Sequence, residues 1–146
     1  MNFFDLHCDT IVFAHQKMEG LRENSMHISL EKGKRLNKWC QTYAIYVPDQ
    51  VEANQALDYV TEYLAYFHEQ MELNQDLVVK CTSGEEIEQA AQSGRFAAVL
   101  SIENGRAFGD DMGNIERYYK AGVRIASLTW NNPTLLAGGA MSNQGL

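Results

Sequence analysis

Residues 96–102 read FAAVLSI, a near-continuous apolar run of strand length. A strand with one face in water alternates apolar and polar residues. A strand that is apolar throughout suits burial on both faces, as in a parallel sheet layered by helices. Around this run the chain alternates further strand patterns with helix patterns. Residues 2–7, 40–47 (CQTYAIYV), 76–81 (DLVVKC) and 123–129 (VRIASLT) are rich in β-branched, aliphatic and aromatic residues and read as strands. Leu57, Val60, Leu64, Phe67 and Met71 fall at steps of three and four, which predicts one apolar face of a long helix over about residues 50–73. Asp49 with Glu52, and Ser83 with Glu86, have the spacing of reciprocal helix caps. The second pair opens a helix that stops at Gly94, and a third helix over 112–121 stops at Gly122.

Residues 10–18 begin a helix or a structured loop, residues 19–38 read as a long basic loop, and the tail from Asn131 onward is loop-like. Strands alternating with helices imply right-handed parallel βαβ units. An open doubly wound sheet and part of a (β/α)8 barrel both fit. A complete barrel needs at least about 200 residues, so 146 residues are too few for one. The length is that of one ordinary domain.

Composition narrows the partners. A net charge of −7 argues against a nucleic-acid backbone or an anionic membrane surface. Cys8, Cys40 and Cys81 are dispersed and odd in number, which suits free thiols in a reducing compartment rather than a disulfide framework. No run approaches the ~20 apolar residues of a membrane span. The N-terminus has no basic region leading into a long apolar run, so the expectation is a cytoplasmic protein.

In parallel α/β folds functional groups gather at the carboxyl ends of the strands. His7 and Asp9 follow the first strand in FFDLHCDT, Glu103 follows the 96–102 strand in SIENG, and Trp130 and Asn131 follow the last in LTWNN. Imidazole and carboxylate suit zinc and similar divalent metals. Glu103 has two oxygens and can bridge two ions about 3.5–4 Å apart, which would activate a bridging hydroxide and polarise a carbonyl. His-x-Asp alone is a weak signal. Cys8 lies between the two candidate ligands and should point the other way and pack. His15, His27 and His68 have no partner at metal spacing and read as structural. No Gly-rich nucleotide fingerprint and no GxSxG occurs.

DLHCDT, AAVLSIENG and AGVRIASLTWNNPTLLAGGA, taken in order, resemble the membrane (renal) dipeptidase family of zinc metallopeptidases across essentially the whole chain. The resemblance implies a (β/α)8 barrel with two zinc ions that hydrolyses dipeptides, often with a D-residue at the C-terminal position. It implies that His7 and Asp9 bind one zinc and that Glu103 bridges both as a catalytic residue. Where the family often has a substrate-contacting histidine, this sequence has Trp130, whose ring cannot accept a hydrogen bond; Asn131 then lines the pocket. The family draws two more zinc-binding histidines and an aspartate from later strands. The expectation is therefore the N-terminal half of such a barrel, inactive alone, which pairs with a C-terminal half or self-associates. The alternative is a stand-alone α/β interaction or metal-binding module that self-associates through open edges without catalysis. A phosphoesterase on a similar barrel is disfavoured, since those sites tend to begin with His-x-His.

Overall fold

The computed structural model describes residues 1–143; the last three residues of the loop-like tail, 144–146, lie outside the described residues. Among the described residues the strands are β1 (Asn2–Cys8), β2 (Lys38–Tyr46), β3 (Val78–Lys80), β4 (Phe96–Glu103) and β5 (Val123–Ala126). The helices are α1 (Thr10–Gln16), α2 (Leu30–Gly33), α3 (Ala53–Leu73), α4 (Gly84–Gln92) and α5 (Gly113–Ala121), with a 3₁₀ turn at Gly105–Phe108. All pairings are parallel and the sheet order is β1-β2-β4-β3, with β5 also paired to β4. This is the parallel α/β sheet expected for part of a (β/α)8 barrel.

β3 and β5 share β4 lengthwise. β3 pairs with Phe96–Ala98 at its amino end, and β5 with Leu100–Ile102 at its carboxyl end. The chain passes from β2 beyond β4 to β3, then steps back to β4. With right-handed crossovers, a reversal of direction puts the connecting helices on opposite faces. The packing agrees. Val60, Leu64, Phe67 and Met71 of α3 and Ile11 and Val12 of α1 pack with Tyr43, Ile45, Leu100 and Ile102 on one face. Ala90 and Ile87 of α4 pack with Cys40, Ala97 and Val99 on the other. β4 is thus buried on both faces at its amino end, as FAAVLSI requires.

Several local expectations change. Residues 10–16 are helical, and the 19–38 segment is no free loop: Leu21 and Leu30 are fully buried. The Leu21 N–H donates to Gln70 Oε1 at 2.8 Å, and Arg22 makes a two-pronged bond to Asp76 at 3.0 and 2.8 Å. Helix α3 begins at Ala53 after Glu52, whose side chain makes no cap bond. The expected Asp49–Glu52 box is absent because Asp49 takes amide donors from distant loops instead. The second box is half formed: Ser83 Oγ accepts from the Glu86 N–H at 3.2 Å. Glu86 reaches back one residue further than expected, to the Thr82 N–H and hydroxyl at 2.6 and 3.0 Å. Gly122 closes α5 at φ +109°, a conformation that favours glycine.

Candidate metal centre

β2 and β4 fix which residues share a face. Cys40, Thr42, Ala44 and Tyr46 stand opposite Ala97, Val99, Ser101 and Glu103, so Glu103 projects from the face that α4 covers lower down. β1 begins in register with β2, Phe4 beside Cys40 and Asp5 beside Gln41, but Cys8 lies beside Tyr43. One extra residue is inserted between Asp5 and Cys8. A one-residue slip moves side chains to the opposite face, and bulges commonly re-aim groups this way. Here the slip places Cys8 with Tyr43 against the outer core and turns His7 toward the face of Glu103. The Asp5 carboxylate accepts the His7 N–H at 3.3 Å within the bulge.

The three expected ligands converge. His7 Nε2 lies 3.2 Å from Glu103 Oε2 and 3.4 Å from Asp9 Oδ1. One ligand atom from each residue lies within 4.8 Å of the others. Asp9 Oδ1 is buried and accepts no hydrogen bond. Burial raises the Glu103 carboxyl above its ordinary range; His7 opposes that shift and Asp9 adds to it. Two carboxylates and an imidazole drawn together, with one buried oxygen unsatisfied, form a donor set that fits a divalent cation such as zinc.

The aromatic wall was half legible. Trp130 meets Tyr46 edge-on with ring centroids 5.1 Å apart, and Tyr46 is the register partner of Glu103. Its phenol is raised by burial first, then by Asp49, Glu103 and Asp9. The sequence reading missed Tyr46, although its parity with Glu103 follows once the strand register is known. Asn131 is half-buried, and its carbonyl accepts the Met141 N–H at 2.8 Å. His68 contacts the Ala121 carbonyl at 3.0 Å, and His15 lies edge-on to Tyr63 and Tyr66, in keeping with structural roles. A cavity of about 550 Å³ between α4 and the amino ends of β1 and β2 is lined by Phe4, Cys40, Ile87 and Ala91. It lies at the other end of the strands from the cluster.

The family model for membrane dipeptidases, peptidase family M19, matches residues 1–146. This chain belongs to the membrane dipeptidase family. Solved structures share its fold. Dipeptidase AC, a metallopeptidase of family M19, superposes with a TM-score of 0.82 at 18% identity, over 94% of this chain and 45% of its own. A metallopeptidase from Rhodobacter sphaeroides, solved with a phosphinate mimic of the dipeptide L-Ala-D-Ala, gives 0.82 at 16% identity over 94% and 48%. An amidohydrolase from Pseudomonas aeruginosa gives 0.63 at 21% identity over 78% and 32%. The chain spans less than half the length of each of these structures.

Proposed function

We propose that the chain is the N-terminal half of a zinc-dependent dipeptidase and that His7, Asp9 and Glu103 are its share of a two-zinc site. The observation that carries this reading is their meeting within 4.8 Å, from two strands that are not neighbours, around a buried and unsatisfied Asp9 oxygen. His7 would bind through Nε2, the ring nitrogen that faces both carboxylates. Asp9 would bind through Oδ1. Glu103 offers Oε2 beside His7 and a second oxygen for a second ion. Zinc held there supplies Lewis acidity toward a water molecule and a peptide carbonyl. Tyr46 and Trp130 would form an apolar wall that keeps bulk water from one side of the substrate, with Asn131 further along the same loop. The substrate proposed is a dipeptide with an L- then a D-residue, in line with the ligand of the Rhodobacter sphaeroides structure.

The test is zinc binding by calorimetry together with release of alanine from L-Ala-D-Ala. We expect the 146-residue chain to bind zinc in a His7-dependent way and to release no alanine unaided. Turnover by this chain that disappears in His7→Ala would overturn the proposal that it is inactive alone; zinc binding unchanged by His7→Ala would overturn the site.

A second proposal concerns the edges. Phe3, Phe4 and Leu6 on β1 are 44%, 54% and 66% exposed, and Ile125 and Leu128 at β5 are 44% and 57% exposed. Apolar edge strands with unpaired backbone groups invite further strands. We propose that they are covered by a C-terminal half or by a second copy of the chain. Light scattering on the purified chain should therefore give a mass above the 16.5 kDa of one copy. A stable monomer at micromolar concentration would count against covering by a second copy.

A further inference from the structure

We propose that Asp49 is a positioning residue for Glu103, acting through Asn104. The inference rests on the reading that Glu103 is a metal ligand. Asn104 follows Glu103 directly, is fully buried, and has φ +84°. A residue other than glycine in that region is uncommon, and surrounding structure must hold it there. The hold is complete. Asn104 Nδ2 donates to the Val47 carbonyl at 2.9 Å and to Asp49 Oδ1 at 2.8 Å. Its Oδ1 accepts the Arg106 N–H at 3.2 Å, and its own N–H donates to Ser127 Oγ at 2.8 Å. The Glu103 carbonyl accepts the Val47 N–H at 3.0 Å. The Glu103–Asn104 peptide is thus held at both its groups, and on the other side of the Glu103 Cα the Ile102 carbonyl accepts the Ser127 N–H at 3.1 Å, which together set the direction in which the Glu103 side chain leaves the strand.

Asp49 anchors this arrangement. Its side chain is only 8% exposed, and Arg106 Nε lies 3.9 Å away as counter-charge. Its second oxygen accepts Asn132 Nδ2 at 2.7 Å. A carboxylate this buried is costly unless it is fully partnered, and it makes no helix cap. A glycine at 104 would meet the backbone demand without any of these partners. What the Asp49–Asn104 pair adds is a fixed orientation of the turn that carries Glu103. Ligand geometry depends on such supporting contacts, whose loss typically weakens metal binding about 10–100-fold.

The test is cobalt(II) titration of the purified protein, read by visible absorption and calorimetry. Asp49→Ala is expected to bind at least about tenfold more weakly and with an altered cobalt spectrum. Asp49→Asn keeps an oxygen facing Asn104 and is expected to fall between Asp49→Ala and wild type. Asn104→Gly keeps the backbone conformation but loses the amide, and should resemble Asp49→Ala. Circular dichroism identifies the variants that fold. Wild-type affinity and spectrum in any folded Asp49→Ala or Asn104→Gly protein would overturn the inference. If the wild-type protein takes up no cobalt, the metal reading itself fails. Crystal structures of metal-free wild type and Asp49→Asn then decide: an unmoved Glu103–His7 contact overturns the positioning role, and a displaced one supports it.

Discussion

Replacing Glu103 by Gln is expected to weaken zinc binding by at least about 100-fold, more than the loss of a supporting contact would. The same change should raise the melting temperature of the metal-free protein at neutral pH. Both effects have one cause. Burial lifts the Glu103 carboxyl above its ordinary range, His7 offsets part of this, and Asp9 adds to it. A carboxyl whose pKa is higher folded than unfolded binds more protons in the native state. Stability then falls as pH rises from the ordinary carboxylate range through the raised value. Above the raised value the metal-free wild type carries that penalty in full, and the neutral amide removes it at any pH. Calorimetric zinc titration and thermal melts in chelator would measure the two effects on the same samples. A Gln variant that melts lower than wild type without metal would refute the account of Glu103 as a strained anion awaiting a cation.

The second large effect lies far from the cluster. Phe67 is fully buried on α3, with its ring 6.1 Å from that of Tyr43 on β2. Truncating such a side chain removes its apolar burial and leaves a cavity, at a cost of about 3–5 kcal/mol. Domains of this size are stable by about 5–15 kcal/mol, so Phe67→Ala should lower the melting temperature by roughly 10 °C or more. α3 lies on the face opposite Glu103. Zinc affinity in the folded variant should therefore stay within about threefold of wild type, an independence typical of sites without shared partners. A shift of less than about 3 °C in a thermal melt followed by circular dichroism would show that this core is not well packed.

The sequence was most readable where local pattern and tertiary demand coincide. FAAVLSI became β4, and the apolar spacing from Leu57 to Met71 became the buried side of α3, because periodicity reports which side chains face the core. His7, Asp9 and Glu103 could be named because strand ends are where parallel sheets display chemistry. Pattern alone did not say how His7 would reach Glu103. The extra residue in β1 turns it to that face, and a bulge is a property of two paired strands. Asp49 shows the same limit. Its spacing from Glu52 is that of a helix cap, yet Asn104 and Asn132, 55 and 83 residues away, supply donors that win the competition for its oxygens. Leu21 and Leu30 lie in a polar stretch without helical or strand period, so their burial was invisible until Gln70 and α3 were placed beside them.

The change of side by α4 also sets a direction of traffic. Helix and sheet close the inner face over Cys40, Ala97 and Val99, the floor beneath the cluster. α4 therefore covers the amino-terminal part of the face that carries Glu103 at its carboxyl end. A molecule approaching the cluster from the carboxyl ends of the strands would pass Tyr46 and Trp130, so a bulky side chain added there is expected to slow arrival and departure together while leaving the ligand geometry unchanged.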